Sequence, residues 1–98
     1  MVSIEVRMLA TLGGLLGRDS LKLTFPSDEV TVREVLAKIG EVVSDKVKER
    51  LFKPNSTELQ PDILVLVNDA EVGALNGLET KLKSGDTLVL LPTVHGGL

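Results

Sequence analysis

The sequence has no cysteine, tryptophan or tyrosine, and it has only two phenylalanines and one histidine. Without cysteine there can be no disulfide, thiolate metal site or cysteine nucleophile, so any sulfur chemistry must use sulfur from another molecule. One histidine without cysteine also leaves too few ligands for a zinc site. Because Phe25 and Phe52 are the only aromatic residues, the hydrophobic core must be almost entirely aliphatic.

Long apolar runs and a strong excess of one charge are also missing. No apolar run approaches the roughly 20 residues that cross a bilayer, and Glu5 and Arg7 interrupt the N-terminal stretch, unlike a signal peptide. A net charge of -3 argues against binding to DNA or to anionic membranes. Ninety-eight residues are the length of one domain. We therefore expect one cytoplasmic domain that binds neither DNA nor membranes directly.

Alternating and continuous apolar segments predict the strands. Residues 3–8 and 20–25 alternate apolar with polar side chains, as half-buried strands do. Between them, Gly13, Gly14 and Gly17 predict a turn, so the two strands are expected to form a hairpin. Residues 63–67 and 87–91 are apolar throughout, which predicts two further, more buried strands.

A capping box predicts the main helix. The Thr31 hydroxyl can accept a hydrogen bond from the amide of Glu34, while the Glu34 carboxylate reaches back to the amide of Thr31. Apolar residues then follow at helical spacing: Val32, Val35, Leu36, Ile39 and Val43. Ser44 predicts the start of a second helical stretch. The elements together predict an α+β fold, in which a mixed sheet of four to five strands packs on one main helix.

Both later strands have apolar side chains on both faces, whereas one helix covers only one face of a sheet. We therefore expect an exposed apolar patch formed by Leu64, Leu66, Leu88 and Leu90, and such a patch often marks a surface for a partner protein. Two alternatives stay open: both faces of the sheet are covered, or the protein self-associates.

The sequence ends with a tail that differs from the rest of the chain. Pro92 can stop the pairing of the last strand beyond Leu91, which predicts a folded domain at residues 1–92 and a flexible tail at residues 93–98. Gly96 and Gly97 have no side chains, so this segment can thread a narrow channel and present its end to another protein. His95 has no predicted partner to orient it, so it is expected to space the tail rather than to act as a base.

Taken together, these features resemble the β-grasp, ubiquitin-like sulfur carriers, and the similarity covers nearly the whole chain. The resemblance is carried by the helix signature at residues 30–36, the strand end at residues 66–69, and residues 82–86 before the last strand. Pro92 is similar to the small subunit of molybdopterin synthase, and residues 93–97 resemble the ubiquitin-related modifier that thiolates transfer RNA. Archaeal small modifier proteins combine both traits.

The resemblance implies a carrier or protein modifier that is not itself an enzyme and binds no cofactor or metal. An E1-like activating enzyme would use ATP to adenylate the carboxylate of Gly97, and sulfur from a partner's persulfide or thiol would then give a thiocarboxylate or a thioester. Thr93, Val94 and His95 would contact the partner's channel. Leu98 departs from the family pattern, which ends at the second glycine, so a processing peptidase is expected to remove it.

The predicted partners are therefore the activating enzyme, a persulfide sulfur donor, the peptidase, and either target-protein lysines or the large subunit of a molybdopterin synthase. Two alternative functions remain at this point. The chain could be the small sulfur-carrier subunit of a molybdopterin synthase, which predicts a stable complex with the large subunit. It could also be a β-grasp interaction domain whose tail has no chemistry.

Overall fold

A computed structural model of the protein describes residues 1–93. Seven strands and three α-helices follow one another in these residues, with short 3₁₀ turns at Val72–Ala74 and Gly77–Glu79. In chain order the elements are β1 (Val2–Met8), α1 (Thr11–Leu16), β2 (Ser20–Phe25), β3 (Val30–Thr31), α2 (Val32–Val42), α3 (Asp45–Leu51), β4 (Ile63–Val67), β5 (Ala70–Glu71), β6 (Lys81–Leu82) and β7 (Thr87–Pro92).

Five of the strands form one mixed sheet in the order β2-β1-β7-β4-β5. The central pair, β1 and β7, is parallel, whereas β2 pairs antiparallel with β1 and β4 pairs antiparallel with β7 and β5. The short strands β3 and β6 make a separate two-stranded ladder. The predicted mixed sheet with one main helix is confirmed.

The main helix α2 begins with the predicted capping box. The backbone N–H of Glu34 donates to Thr31 Oγ1 at 3.2 Å, and the N–H of Thr31 donates to Glu34 Oε1 at 2.9 Å. Ser44 caps α3, where its hydroxyl accepts from the amide of Val47 at 3.4 Å. Both predicted helix starts are therefore confirmed, and each helix end satisfies amides that would otherwise lack partners.

The core lies between one face of the sheet and the helices. Each long strand contributes every second residue to it, as the period of a strand requires. The buried residues of the strands and of α2 are Val2, Ile4, Val6, Met8, Leu23, Val30, Ile63, Val65, Val67, Leu82, Leu88, Leu90, Val32, Val35, Leu36 and Ile39. Among residues 1–93, no helix is long and apolar enough to cross a membrane.

The segment between β1 and β2 differs from the prediction of a simple turn. Residues Thr11–Leu16 form the helix α1, which buries Leu12 completely. The helix ends at Gly17, whose φ of 83° is left-handed and whose N–H donates to the carbonyl of Gly13 at 2.9 Å. The sequence pattern missed α1 because six residues make fewer than two turns and show no clear periodicity.

Alanine substitutions at Gly14 and Gly17 should distinguish a helix from a simple turn in the segment between β1 and β2. Gly17→Ala should lower the free energy of unfolding by about 1 kcal/mol, because a left-handed φ is unfavourable for residues with a Cβ. Gly14→Ala should raise it by about 0.5–1 kcal/mol, because Gly14 is helical and an added Cβ there meets no atom within 4 Å. Urea unfolding of both variants measures the difference. Equal destabilisation by the two substitutions would contradict a helical α1.

Candidate functional site

The last strand leads the chain from the centre of the sheet towards its C-terminal segment. β7 is paired on one side with β1 and on the other with β4. The expectation that Pro92 stops the pairing at Leu91 is wrong by one residue, because Pro92 still lies opposite Ile63 in the ladder. Proline lacks an N–H, but its carbonyl and its extended backbone remain compatible with the end of a strand.

Thr93 is held to the domain beyond the end of β7. Its backbone N–H donates to the carbonyl of Asp62 at 2.7 Å, and its hydroxyl donates to the same carbonyl at 2.9 Å. The side chain is half-buried. Thr93 was predicted as the first residue of the tail, and these two bonds attach it to the residue that precedes β4.

Asp62 is itself held by Arg50 of α3. Arg50 Nη2 donates to Asp62 Oδ2 at 2.6 Å and Nη1 donates to Oδ1 at 3.1 Å, which is the two-pronged geometry that favours arginine over lysine. The hydrogen bond to Asp62 raises the pKa of Arg50 above its ordinary value. We call Arg50, Asp62 and Thr93 the clasp, because together they connect α3 to the end of the domain.

An apolar patch lies on the outer face of β4 and β7, beside the clasp. Leu64 lies opposite Leu91 and Leu66 opposite Val89 in the antiparallel ladder of β4 and β7. Opposed residues point to the same face, and these four side chains are all half-buried. We call Leu64, Leu66, Val89 and Leu91 the outer patch.

The prediction that Leu88 and Leu90 belong to an exposed patch is wrong, because both side chains are 0% exposed. They lie opposite Val67 and Val65 and point into the core. Both sets of alternate side chains in β7 contain leucine, so the leucines alone do not show which set faces the core. The polar residue Thr87 carried the missed signal, because it has the same parity as Val89 and Leu91 and so indicates which side faces outward.

Charged residues flank the outer patch on two sides. Arg7 of β1 lies opposite Val89, and its side chain is exposed. Glu71 of β5 lies opposite Leu66 on the other side and is half-buried. An apolar centre with a charged rim is the usual anatomy of a protein–protein interface.

The remaining predicted site residues, Val94, His95, Gly96, Gly97 and Leu98, lie outside the described residues, and their roles stay predictions.

Within residues 1–93, no group of three or more His, Cys, Asp or Glu side chains is placed to hold a metal ion. An open cleft of about 590 Å³ lies between α2, α3 and residues 53–57, and none of its lining residues is a predicted site residue.

Comparison with known proteins identifies the relatives of this chain. The model of the family Urm1 (ubiquitin related modifier) matches residues 3–97. Small archaeal modifier protein 3 of Haloferax volcanii is 33% identical over 96 residues, which are 98% of this chain and 100% of the relative. The sulfur carrier protein CysO of Mycobacterium tuberculosis is 36% identical over 66 residues, or 60% of this chain and 71% of that protein.

A solved structure supports the same relationship. The BexX/CysO complex of Amycolatopsis orientalis contains a chain that matches this one with a TM-score of 0.72 and 33% identity, covering 96% of this chain and 99% of the other. These neighbours have the ubiquitin-like β-grasp fold, which is therefore the fold of this chain.

Alanine substitutions in β7 test which face each leucine occupies. Leu88→Ala should lower the free energy of unfolding by about 2–5 kcal/mol, because it leaves a cavity in the core. Leu91→Ala should lower it by only about 1 kcal/mol, because the half-buried side chain loses contact on one side only. Chemical unfolding at equilibrium measures both. Similar losses for the two variants would mean that β7 is covered on both faces.

Proposed function

The chain belongs to the Urm1 family of ubiquitin-like sulfur carriers and modifiers, and we propose that it is activated at the carboxylate of Gly97 by an E1-like enzyme after Leu98 is removed. In this proposal the chain is the substrate of the chemistry rather than its catalyst. ATP is used by the activating enzyme, and this chain binds no cofactor.

The observation that supports this proposal is the extent of the family match. It runs from residue 3 to residue 97, so it includes both glycines and excludes Leu98. The relative that covers 98% of this chain is named a modifier protein. The relative that covers 60% of it is named a sulfur carrier protein. The proposed reactive group is therefore the carboxylate that removal of Leu98 would leave on Gly97.

Activation solves a chemical problem of the carboxylate. The free carboxylate is a poor electrophile because neither oxygen is a good leaving group. Attack of a Gly97 carboxylate oxygen on the α-phosphorus of ATP forms an acyl adenylate and releases pyrophosphate. With Leu98 in place the Gly97 carbonyl is an ordinary amide, which cannot form this species.

Sulfur transfer then requires nucleophiles from partners, because this chain has no cysteine. The terminal sulfur of a partner persulfide attacks the Gly97 carbonyl, AMP leaves, and an acyl disulfide joins the two proteins. A second thiol of the partner attacks the partner's own sulfur in that disulfide. The products are a thiocarboxylate on Gly97 and a disulfide in the partner. Attack on the adenylate by a thiol instead gives a thioester, which a target lysine can open.

The outer patch is the proposed docking surface for the activating enzyme. Holding residues 94–97 in one extended conformation inside an enzyme costs about 1–2 kcal/mol per residue. The outer patch lies on β4 and β7 and includes Leu91, immediately before Pro92. Burying the outer patch against the activating enzyme would offset that cost. It would also fix the direction in which residues 94–97 enter the enzyme's channel.

Pyrophosphate exchange with the activating enzyme tests the activation step. A chain ending at Gly97 should support ATP–pyrophosphate exchange, whereas the chain ending at Leu98 should not, because its free carboxylate lies on Leu98, whose side chain is too large for the narrow channel proposed for the two glycines. Gly97→Ala in the shorter chain should slow exchange at least about tenfold, which corresponds to about 1.4 kcal/mol in the transition state.

Mass spectrometry of the chain isolated from its own cells tests the later steps. It should show a chain that ends at Gly97 with one oxygen replaced by sulfur, or lysines of other proteins that carry a remnant ending in Gly97.

The outcomes separate the alternatives. Equal exchange by the two chain lengths would refute the need for trimming. Absence of exchange for both, with the intact unmodified chain in cells, would favour an interaction domain with an inert tail. Stable co-purification with a molybdopterin synthase large subunit would favour the small-subunit role instead.

A charge placed in the outer patch tests the docking surface. Leu66→Asp should raise the KM for this chain in pyrophosphate exchange at least about tenfold, because a carboxylate is desolvated at the interface, while kcat stays nearly unchanged. Leu75→Asp is the matched control, since Leu75 is 48% exposed and lies outside the patch. Equal effects of the two substitutions would contradict docking through the outer patch.

A further inference from the structure

Pro92 makes the two sides of β7 end at different points. β1 follows β7 as far as Leu90, whose carbonyl accepts from the amide of Leu9 at 3.0 Å. In a parallel ladder the next bond would run from the amide of residue 92 to the carbonyl of Leu9, but proline has no N–H to donate. The Leu9 carbonyl instead accepts from the amide of Leu12 in α1 at 3.1 Å. Beyond Leu90, the end of β7 is therefore held from the β4 side.

On the β4 side the ladder continues past the proline. Leu91 lies opposite Leu64, and the next bond of an antiparallel ladder is two residues further along. That bond runs from the amide of Thr93 to the carbonyl of Asp62 at 2.7 Å, and the Thr93 hydroxyl adds a second bond at 2.9 Å. Pro92 lies at a position whose N–H would point away from β4, so no bond is lost on this side. Thr93 is therefore the point at which the domain holds the terminal segment.

The acceptor of these bonds, the carbonyl of Asp62, belongs to a turn that α3 holds. Within the turn, the amide of Ile63 donates to the carbonyl of Gln60 at 3.1 Å. The amide of Gln60 donates to the carbonyl of Leu51, the last residue of α3, at 2.7 Å. Arg50 of the same helix binds the carboxylate of Asp62 with both nitrogens of its fork. Because Leu51 is completely buried, the turn is fixed to the core of the domain.

We propose that the clasp, formed by Arg50, Asp62 and Thr93, positions the terminal segment for its activation. Thr93 holds the start of that segment, whereas Arg50 and Asp62 act through Thr93 and are positioning residues rather than catalytic ones. This inference rests on the proposed reaction at Gly97 and adds to it residues of a helix and a turn.

The reach of the chain explains why its starting point matters. Residues 94–97 span at most about 14 Å in full extension. With the clasp closed, a domain docked through the outer patch has only these residues to order in the enzyme's channel. With the clasp open, the ladder is held at Leu91 and Leu64, so Pro92 and Thr93 must be ordered as well. Ordering each further residue costs conformational entropy, and the docked complex therefore reacts more slowly.

This role predicts a change in kcat rather than in KM. A clasp variant keeps the outer patch and therefore docks as before, so its KM should stay within about twofold of the unaltered chain while kcat falls. The substitution Leu66→Asp in the outer patch has the opposite signature. The two kinetic constants therefore separate positioning of the terminal segment from docking of the domain.

ATP–pyrophosphate exchange with the activating enzyme measures both constants for chains that end at Gly97. Thr93→Ala should lower kcat about fivefold by removing the hydroxyl bond, whereas Thr93→Ser keeps a hydroxyl and should stay within about twofold. Arg50→Met should also lower kcat about fivefold, because the turn loses its hydrogen bonds to the guanidinium. Arg33→Met is the matched control and should change neither constant, since Arg33 donates to Glu79 at 2.8 Å on an exposed surface of α2.

A double variant separates positioning from direct contact between Thr93 and the enzyme. Once Arg50→Met has opened the clasp, Thr93→Ala has little left to remove. The combined variant should therefore lose less than the roughly 25-fold product of the two single effects. Single effects that multiply would mean that Thr93 acts on the enzyme independently of Arg50, and would overturn the proposal.

Hydrogen exchange of the unbound chain gives a second measurement that needs no enzyme. The Thr93 amide should be protected, and Arg50→Met should speed its hydrogen exchange at least about fivefold, whereas the amide of Leu90 inside the sheet should stay protected. Unfolding curves confirm that each variant folds. A Thr93 amide that exchanges as fast in the unaltered chain as in an unfolded peptide would overturn the proposal.

The kinetic outcomes also distinguish this inference from the function on which it rests. Pyrophosphate exchange by the unaltered chain, with the same kcat for the clasp variants, would overturn the positioning role alone. Absence of pyrophosphate exchange for the unaltered chain ending at Gly97 would refute the proposed activation, and the positioning role with it.

Discussion

The parallel pairing of β1 with β7 is the constraint on which the rest of the molecule depends. It brings the first strand and the last strand together at the centre of the sheet, with β2 outside one and β4 outside the other. The strand that leads to residues 94–98 is therefore paired on both sides and buries Leu88 and Leu90 completely. A chain end that must be presented to another protein benefits from such an origin, because the position and direction of its first residue are fixed by the core.

The local features of the fold could be predicted because their causes are local. The capping box needs only Thr31 and Glu34, three residues apart, and the apolar stripe that follows fixes the buried side of α2. The orientation of β7 has another cause. Four successive apolar residues follow Thr87, so either set of alternate side chains could face the core. Within β7 only Thr87 marks the outward side, and the register against β4 and β1 fixes that orientation.

The clasp shows the same limit for polar contacts. Arg50 belongs to a helix with several charged residues, and Asp62 follows a polar loop that contains two prolines. Both therefore have the sequence context of solvent-exposed charges. Their two-pronged contact exists because residues 53–61 fold back and bring the start of β4 beside α3, as the antiparallel bridge between Phe52 and Leu59 shows. Asp62 then offers its carbonyl to Thr93, so the tail begins from a point that a helix, a loop and a strand define together.

The two faces of the sheet differ in what they can do. The inner face packs on α2 and forms the core, whereas Leu64, Leu66, Val89 and Leu91 on the outer face stay half-buried within residues 1–93. Leu91 is separated from Thr93 of the clasp by Pro92 alone. The proposed docking surface and the start of the terminal segment are therefore parts of one rigid strand. A partner that binds the outer patch thereby also receives the chain from a fixed point, which is what the proposed reaction at Gly97 requires.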